Sequence, residues 1–595
     1  MRNPRYGFTT ILVLLIAALV PVAGAAEEDL PNVVLITLDT TRADRLGCYG
    51  GDGVSTPAID ALAREGVRFD QAQSPAPLTV PAHASLMSGL VPRRHGARDN
   101  ARYPVGRQVA LLPEYFKARG YRTAAFVSSA LLDRRAGFNQ KFDLYDDTVR
   151  IGPGEASNDE ERAATQTNEA VLAWLPGTEA PFFLWVHYFD PHLPYVPPDP
   201  FAERFEDRPY DGEIAFMDEA LGELVNRIRS RFPETLIVVA GDHGESLGEH
   251  GEQTHGVFLY QVTQRVPLIF FGPGIPRGRV VSERVGLVDV MPTLLDLTRF
   301  ELPTDLDGRS LVPLLRGKTK KWKRRAYEME SLFPQSAYDW APLRGWVLGD
   351  LVAIDAPRPE LYDLATDPKQ QNNLGADHAK AEPLLGEGYA RNPVSGIDPK
   401  DGIHWLGQIG DARTAVQLGR AADAIEPLKR LLERNPGNVP ARLTLASAQL
   451  ATGDPTAAVA SARTALDRNP DDDLIRFSLA NALWAESPQR PSARREAREQ
   501  YEAVLRINPR RAEAYLNYAS LLVDAGEVYG ARALLARAEE SGIDGPDLAS
   551  RRASVELLLG QRDAAIRYFE HALELDPESE TAAEALKELR DPGDF

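Results

Sequence analysis

Five short apolar runs punctuate the first half of the chain: Asn32 to Leu38, Thr123 to Val127, Phe182 to Tyr188, Thr235 to Ala240 and Val266 to Phe271. They are rich in Val, Ile, Leu and Phe without polar alternation, the pattern of strands covered on both faces by helices. Stretches with helical periodicity fall between them, at Thr56 to Glu65, Glu160 to Trp174 and Gly212 to Arg229. This alternation predicts an α/β sandwich on a mostly parallel sheet. Polar residues gather just after several runs, at Asp39, at His187 to His192 and at Asp242-His243. Open α/β sheets bind ligands at the carboxyl ends of their strands, so these clusters are the first place to look for chemistry.

After Lys318 the alternation stops, and Trp346 to Ile354 reads as antiparallel strand leading into Pro359 to Pro368. The predicted boundaries are 30–317 for the α/β domain, 318–387 for a small antiparallel subdomain and 388–402 for a Pro- and Gly-containing linker. From 403 to 590 the chain repeats itself. Pro436, Pro470, Pro509 and Pro577 close helical segments at spacings of 34, 39 and 68 residues, the last being twice 34. An insert around Ser487 to Ser492 accounts for the excess of five, and Ile543 to Pro546 divides the double interval. Small residues recur in phase, Ala446 with Ala458, Ala519 with Ala531 and Ala553 with Ala565. A 34-residue period of paired helices resembles tetratricopeptide repeats, which stack into a superhelix. Such an array binds a protein segment, packs on its own catalytic domain or self-associates; the sequence leaves the three open.

Composition narrows the function classes. The chain has 595 residues, more than one domain's worth, with 43% hydrophobic and 26% charged residues, an ordinary soluble balance. A formal net charge of −19 argues against a nucleic-acid-binding surface and against a polyanion held over a wide face. Cys48 is the single cysteine, so no intrachain disulfide forms, and it reads as a buried structural thiol. At the N-terminus Arg2 and Arg5 precede an apolar stretch from Ile11 to Val20 and the small residues Ala23-Gly24-Ala25, the layout of a secretory signal over 1–25 with a mature start near Ala26. The competing reading is an uncleaved membrane anchor over Phe8 to Ala26. The first places the protein in the periplasm or outside the cell; the second ties it to a membrane.

The candidate chemistry starts from expensive carboxylates. Asp39 and Asp242 each follow a buried run, where a carboxylate is costly unless paired or bound to a cation. Helix capping explains either one alone, but His243 beside the second, and a hydroxyl at Thr79 between them in sequence, point to a metal. A shell of two carboxylates and an imidazole suits Zn or Mn more than Ca. Thr79 precedes Pro81, a residue suited to the first turn of a helix, which places its hydroxyl at the positive N-terminal end.

Six motifs occur in order: Leu38-Asp39-Thr40-Thr41-Arg42, the run Thr79-Val80-Pro81-Ala82-His83-Ala84-Ser85-Leu86-Met87-Ser88-Gly89, His187 to Tyr195, Gly241 to Glu245, Thr254-His255-Gly256 and Val288 to Thr293. Together they resemble the alkaline phosphatase superfamily and its sulfatase branch over about Pro31 to Leu374, with Leu361 to Leu374 similar to that branch's C-terminal subdomain. The resemblance implies one divalent metal held by Asp39, Asp242, His243 and Thr79, with Thr79 as the attacking group. His83, His192 and His255 then stabilise developing charge, and Arg42 orients a metal carboxylate or the substrate. It also implies a second metal as an open alternative, on His187, Asp190 and His192. Five of the ten histidines lie inside the motifs, which favours function for them; His95 and His250 lie in loops and read as supporting or local.

The chain departs from the sulfatase pattern at the nucleophile. There a Cys or Ser is converted to formylglycine; threonine carries a methyl on its β-carbon and would give a ketone. Ala82 and His83 also replace the Ser and Arg of that signature. The departures resemble Thr-nucleophile phosphodiesterases and phospho-headgroup transferases of the same superfamily. The expected function is hydrolysis of a small phosphate, phosphodiester or related anionic ester through Thr79. The alternatives are transfer of a phospho-headgroup to a sugar or lipid hydroxyl, sulfate-ester hydrolysis without formylglycine, and a non-catalytic repeat-based binding protein.

Overall fold

The computed structural model describes residues 30–100, 104–148, 162–375, 394–541, 543–577 and 579–590. The predicted signal segment, 1–25, lies outside the described residues. Among those described, no helix is long and apolar enough to cross a membrane.

An eight-stranded sheet forms the centre of the N-terminal half. Its strands are β1 (Asn32–Leu38), β2 (Val67–Phe69), β3 (Arg122–Phe126), β4 (Leu144–Asp146), β5 (Phe182–Tyr188), β6 (Thr235–Gly241), β7 (Leu268–Phe271) and β8 (Arg279–Val281). The spatial order is β8-β2-β7-β6-β1-β5-β3-β4, and β7 alone runs antiparallel to its neighbours. The mostly parallel sheet expected from the apolar runs is therefore present. All seven residues of β1, β5 and β6 are buried. At about 1.5–3 kcal/mol for each large aliphatic side chain buried, burial of this central trio contributes strongly to the fold. One face is covered by α1 (Pro57–Glu65), α3 (Ala164–Trp174) and the long α4 (Pro209–Arg231), whose apolar residues share a core with β1, β5 and β6. Cys48 packs partly buried against that core, its thiol pushed up to about 12 by burial and then by Asp60.

The run expected as one strand from Val266 to Phe271 is two. Pro267 has no N–H to give a ladder; its carbonyl accepts from Gly241 instead (2.9 Å), and the chain pairs as Arg265–Val266 on one side and as β7 on the other. A second sheet follows, β9 (Tyr327–Ser331), β10 (Leu343–Leu348), β11 (Leu351–Asp355) and β12 (Glu360–Asp363), antiparallel throughout. Helix α5 (Phe333–Tyr338) joins β9 to β10.

The described part of the stretch expected as a linker is packed. Its helix Pro399–Gly402 lies so close under Trp340 that a Cβ on Gly402 would stand 2.3 Å from the indole. Paired helices then run from His404 to Arg590. The in-phase alanines Ala446, Ala458, Ala519, Ala531, Ala553 and Ala565 are all fully buried at helix contacts, the role their period suggested. The first helices share one core with β9 to β11 through Trp340, Trp405, Leu428 and Leu445.

Candidate active site

Register brings the carboxylates together. Leu38 pairs with Gly241 on one side and with Tyr188 on the other. Asp39 and Asp242, each one residue beyond its strand, therefore emerge side by side at the carboxyl edge, with His187 on the third strand. The turn after β1 is strained: Thr40, a β-branched residue, has φ of 47°. That costs about 1–3 kcal/mol and persists only where the surroundings hold it. They do, because Thr40 N–H donates to Asp242 Oδ1 (3.2 Å), its hydroxyl donates to the Pro191 carbonyl, and Tyr210 donates to its carbonyl (2.7 Å).

Thr79 opens α2 (Thr79–Ser88), a helix buried on every side. Pro81 sits in the first turn, where no backbone donor is needed, and Gly89 ends the helix at φ 70°. Asn100 accepts from the Val80 N–H (2.9 Å) and pins the start. The Thr79 hydroxyl, fully buried, faces Nε2 of His243 at 3.4 Å.

Three carboxylate oxygens here have no hydrogen-bond partner although they are buried: both of Asp39 and Oδ2 of Asp242. The ligand atoms of Asp39, Asp242 and His243 lie within 4.8 Å of one another. His243 Nδ1 faces the Gly244 carbonyl at 3.0 Å, which puts its proton there and leaves the Nε2 lone pair facing Asp242 Oδ2 (3.4 Å) and Asp39 Oδ1 (3.7 Å). Burial, and then the charge of Asp39, push Asp242 well above the carboxylate range. Burial also works against ionised Asp39, but the imidazole of His187, its Nε2 3.3 Å from Oδ2, outweighs it and holds that carboxyl low. Two buried carboxylates that cannot both ionise, with orphaned oxygens and a ligand-ready imidazole, fit a divalent cation.

The other histidines divide between two flanks. His187 accepts the Ser128 N–H on Nδ1 (3.4 Å), so its proton sits on Nε2, facing Asp39 Oδ2 at 3.3 Å. His83 bonds the Thr79 carbonyl through Nδ1 (2.8 Å) and lies 5.1 Å from His187 between ring centres, its buried Nε2 without a partner. On the opposite flank, His255 lies 4.4 Å from His243 and 5.2 Å from His192, which stacks on Phe189.

Glu245, fully buried, holds His255 Nδ1 at 3.0 Å and accepts from Tyr195 (2.9 Å). Burial opposes the imidazolium of His255, but Glu245 outweighs it and raises the pKa. Sequence reasoning quoted Glu245 within its motif without giving it a role; a buried acid two residues beyond a metal ligand was the available signal.

Arg42 is engaged elsewhere than expected. It donates to Asp44 (2.8 and 2.9 Å), Glu249 (2.7 Å) and the Glu245 carbonyl (3.2 Å), so it orders the loop carrying Glu245 instead of reaching Asp39 or Asp242. Asp190, weighed for a second metal, accepts from Ala164 N–H (2.9 Å) and caps α3. His95 bonds Ser85 (2.9 Å), and His250 stacks on Tyr260 at 3.6 Å, both as local supports.

Comparison with known proteins places the chain's two halves in known families. Residues 31–300 match the sulfatase family, and 248–385 match the C-terminal region of N-sulphoglucosamine sulphohydrolase. Tetratricopeptide repeats match over 415–482, 494–546 and 548–579. Arylsulfatase A of Homo sapiens is 28% identical over 439 residues, 61% of this chain and 86% of the relative. An uncharacterized sulfatase of Escherichia coli (strain K12) is 26% identical over 418 residues, 58% and 83% of the two chains. The crystal structure of the phosphonate monoester hydrolase of Agrobacterium radiobacter superposes with a TM-score of 0.51 at 22% identity, covering 59% of this chain and 92% of that one, and shows the shared fold. Residues 31–385 thus make up a sulfatase-family domain of the ester-hydrolase kind, and the helices behind it belong to tetratricopeptide repeats.

Proposed function

We propose that this domain hydrolyses a phosphate, phosphodiester or related anionic ester, with unmodified Thr79 as the attacking group and a divalent cation on Asp39, Asp242 and His243. The observation that carries the reading is the buried Thr79 hydroxyl at the N-terminal end of α2, 3.4 Å from His243 Nε2, beside carboxylate oxygens that lack partners. Such a cation, when bound, supplies the positive charge that makes an alcohol acidic near neutral pH. The start of α2 adds its dipole to the same end.

Thr79 Oγ1 forms the bond to the central atom of the ester as the bond to the leaving oxygen breaks. Thr79 attacks as the alkoxide, its hydroxyl proton having passed to solvent; His255, its pKa raised by Glu245, gives a proton to the leaving oxygen. Water then attacks the Thr79 ester, giving one proton back to His255 and its hydroxide to the released acid while Thr79 departs as the alkoxide. His83 and His192 flank the pocket with their Nδ1 protons held by the Thr79 and Leu193 carbonyls (2.8 and 2.7 Å), so either one donates to an ester oxygen only after taking a proton on Nε2. Zn or Mn suits the donor set better than Ca. A phosphate-type ester is favoured over a sulfate because Thr79 cannot form the aldehyde hydrate that releases sulfate.

The repeats are read as a protein-binding array, and export to the periplasm or exterior rests on the residue pattern of 1–25 alone; mass spectrometry of the mature N-terminus checks it. A panel of aryl phosphate, phosphodiester, phosphonate and sulfate esters, run with added Zn, Mn or Ca, tests the main reading. Thr79→Ala is expected to lower kcat/KM by roughly 10³-fold or more, while Thr79→Ser keeps measurable turnover. Full activity in Thr79→Ala overturns the assignment.

A further inference from the structure

The repeat array does not hang free of the sulfatase-family domain. Three successive inter-repeat turns, Asn435-Pro436-Gly437, Arg468-Asn469-Pro470 and Asn508-Pro509-Arg510, all touch it. Asn435, fully buried, donates Nδ2 to the Tyr338 carbonyl at 2.8 Å. Gly437 lies so near Asp339 that a Cβ there would stand 2.0 Å from its Oδ2 and 2.3 Å from its Cβ. Arg468 pairs with Asp339 at 2.8 Å. Arg510 donates to the Asp147 carbonyl at 2.9 Å, with its side chain 17% exposed.

These landing points lie behind the two flanks of the pocket. Asp339 ends α5, whose Phe333 packs over Gly256 beside His255; Leu78, the neighbour of Thr79, packs against the same glycine. Ser336 of α5 donates to Asp99 (2.5 Å), next to the Asn100 that holds the start of α2. On the other side Asp147 also accepts from Arg134 N–H (3.0 Å), and its neighbour Asp146 pairs with Arg162 (3.2 Å). Arg162 donates to the Val127 carbonyl (3.0 Å) through its guanidinium and to the Ser128 carbonyl (2.9 Å) through its backbone. Ser128 in turn meets His187, which faces Asp39.

We propose that the repeat array is a brace of the active site, in which the turns at 435–437 and 510 are positioning elements. One holds α5 behind the nucleophile helix, the other holds the end of the β3–β4 edge behind His187. The brace rests on Thr79 being the attacking group, but its mechanical part is measured without turnover. The partner of these turns is the chain's own first half, so a protein bound by the array must use other surfaces.

The test uses the full chain with Arg510→Ala, Arg510→Lys and Gly437→Ala, read by amide hydrogen exchange and by kcat and KM on a small aryl ester. Arg510 is a partly open side chain at the seam, and a urea melt of each variant verifies that the fold is kept. Arg510→Ala should speed exchange at Val127 and Ser128 and lower kcat on the order of tenfold with KM little changed, as expected for misplacement without lost binding. Arg510→Lys, which keeps a donor, should restore both. Gly437→Ala should act likewise on the amides of Val80, Ala82 and Val257. Wild-type exchange in Arg510→Ala and Gly437→Ala overturns the brace, and so does faster exchange with wild-type kcat. Failure of the Thr79 reading looks different: turnover survives Thr79→Ala while exchange still responds to Arg510→Ala.

Discussion

Asp39 and Asp242 set the electrostatic problem that every other residue of the pocket answers. Without a cation, one of the two must hold a proton, and burial together with the charge of Asp39 assigns it to Asp242. Removing metal with a chelator should therefore lower the melting temperature, and Asp242→Asn should melt higher than wild type in chelator while being inactive in metal. A variant that melts lower than wild type under both conditions contradicts the unneutralised pair. Glu245 is the second such residue. Its charge raises the pKa of His255 against burial, so Glu245→Gln should let that pKa fall and move the alkaline limb of kcat to lower pH. An unmoved limb would show that His255 is not the acid. Asp39, Asp242 and His243 were legible in the sequence because a carboxylate after a buried strand has few cheap explanations. Glu245 and the strain at Thr40 were not, since each depends on which side chains fold back over the strand ends. Arg42 was assigned to the metal carboxylates or the substrate, whereas its bonds run to Asp44, Glu249 and the Glu245 carbonyl.

At the scale of elements, the central strands were legible because burial on both faces writes itself as an uninterrupted apolar run. The break at Pro267 was missed because an apolar run with one proline still reads as continuous, although the proline removes a ladder donor. The loop from 248 to 258 illustrates what periodicity never carries. It presents His255, and it is held by a buried carboxyl, Glu252, which accepts from the Val257 N–H at 2.7 Å. Burial pushes Glu252 up to about 8, against donation from Val257 and Phe258. The unfolded chain gives up this proton near 4.3 and the folded chain near 8. The contribution of Glu252 to stability is thus complete below the first value and is lost as pH rises through the second. Urea midpoints at pH 5 and pH 8.5 should differ in this sense for the wild type and differ less in Glu252→Gln; an equal drop in both places the pH dependence elsewhere.

For the whole molecule, the sulfatase-family domain and the repeats share a core at Trp340 and Trp405 and meet again at Asp147 and Arg510. Sequence periodicity gave the repeats but not their seating, because the three contacts lie in the short turns that the period treats as spacers. Large apolar side chains stay open on later helices, Tyr529 at 76% and Leu558 at 60% exposure, where the turns described above are not involved. The central claim for the molecule as a catalyst is that an unmodified alcohol at position 79 carries the group being transferred. Mixing enzyme and phosphate ester, quenching in acid within the first turnovers and mapping the peptides by mass spectrometry tests it most directly. The account predicts a phosphorylated Thr79 that appears with substrate and is absent in Thr79→Ala; turnover at full rate with Thr79 never modified contradicts it.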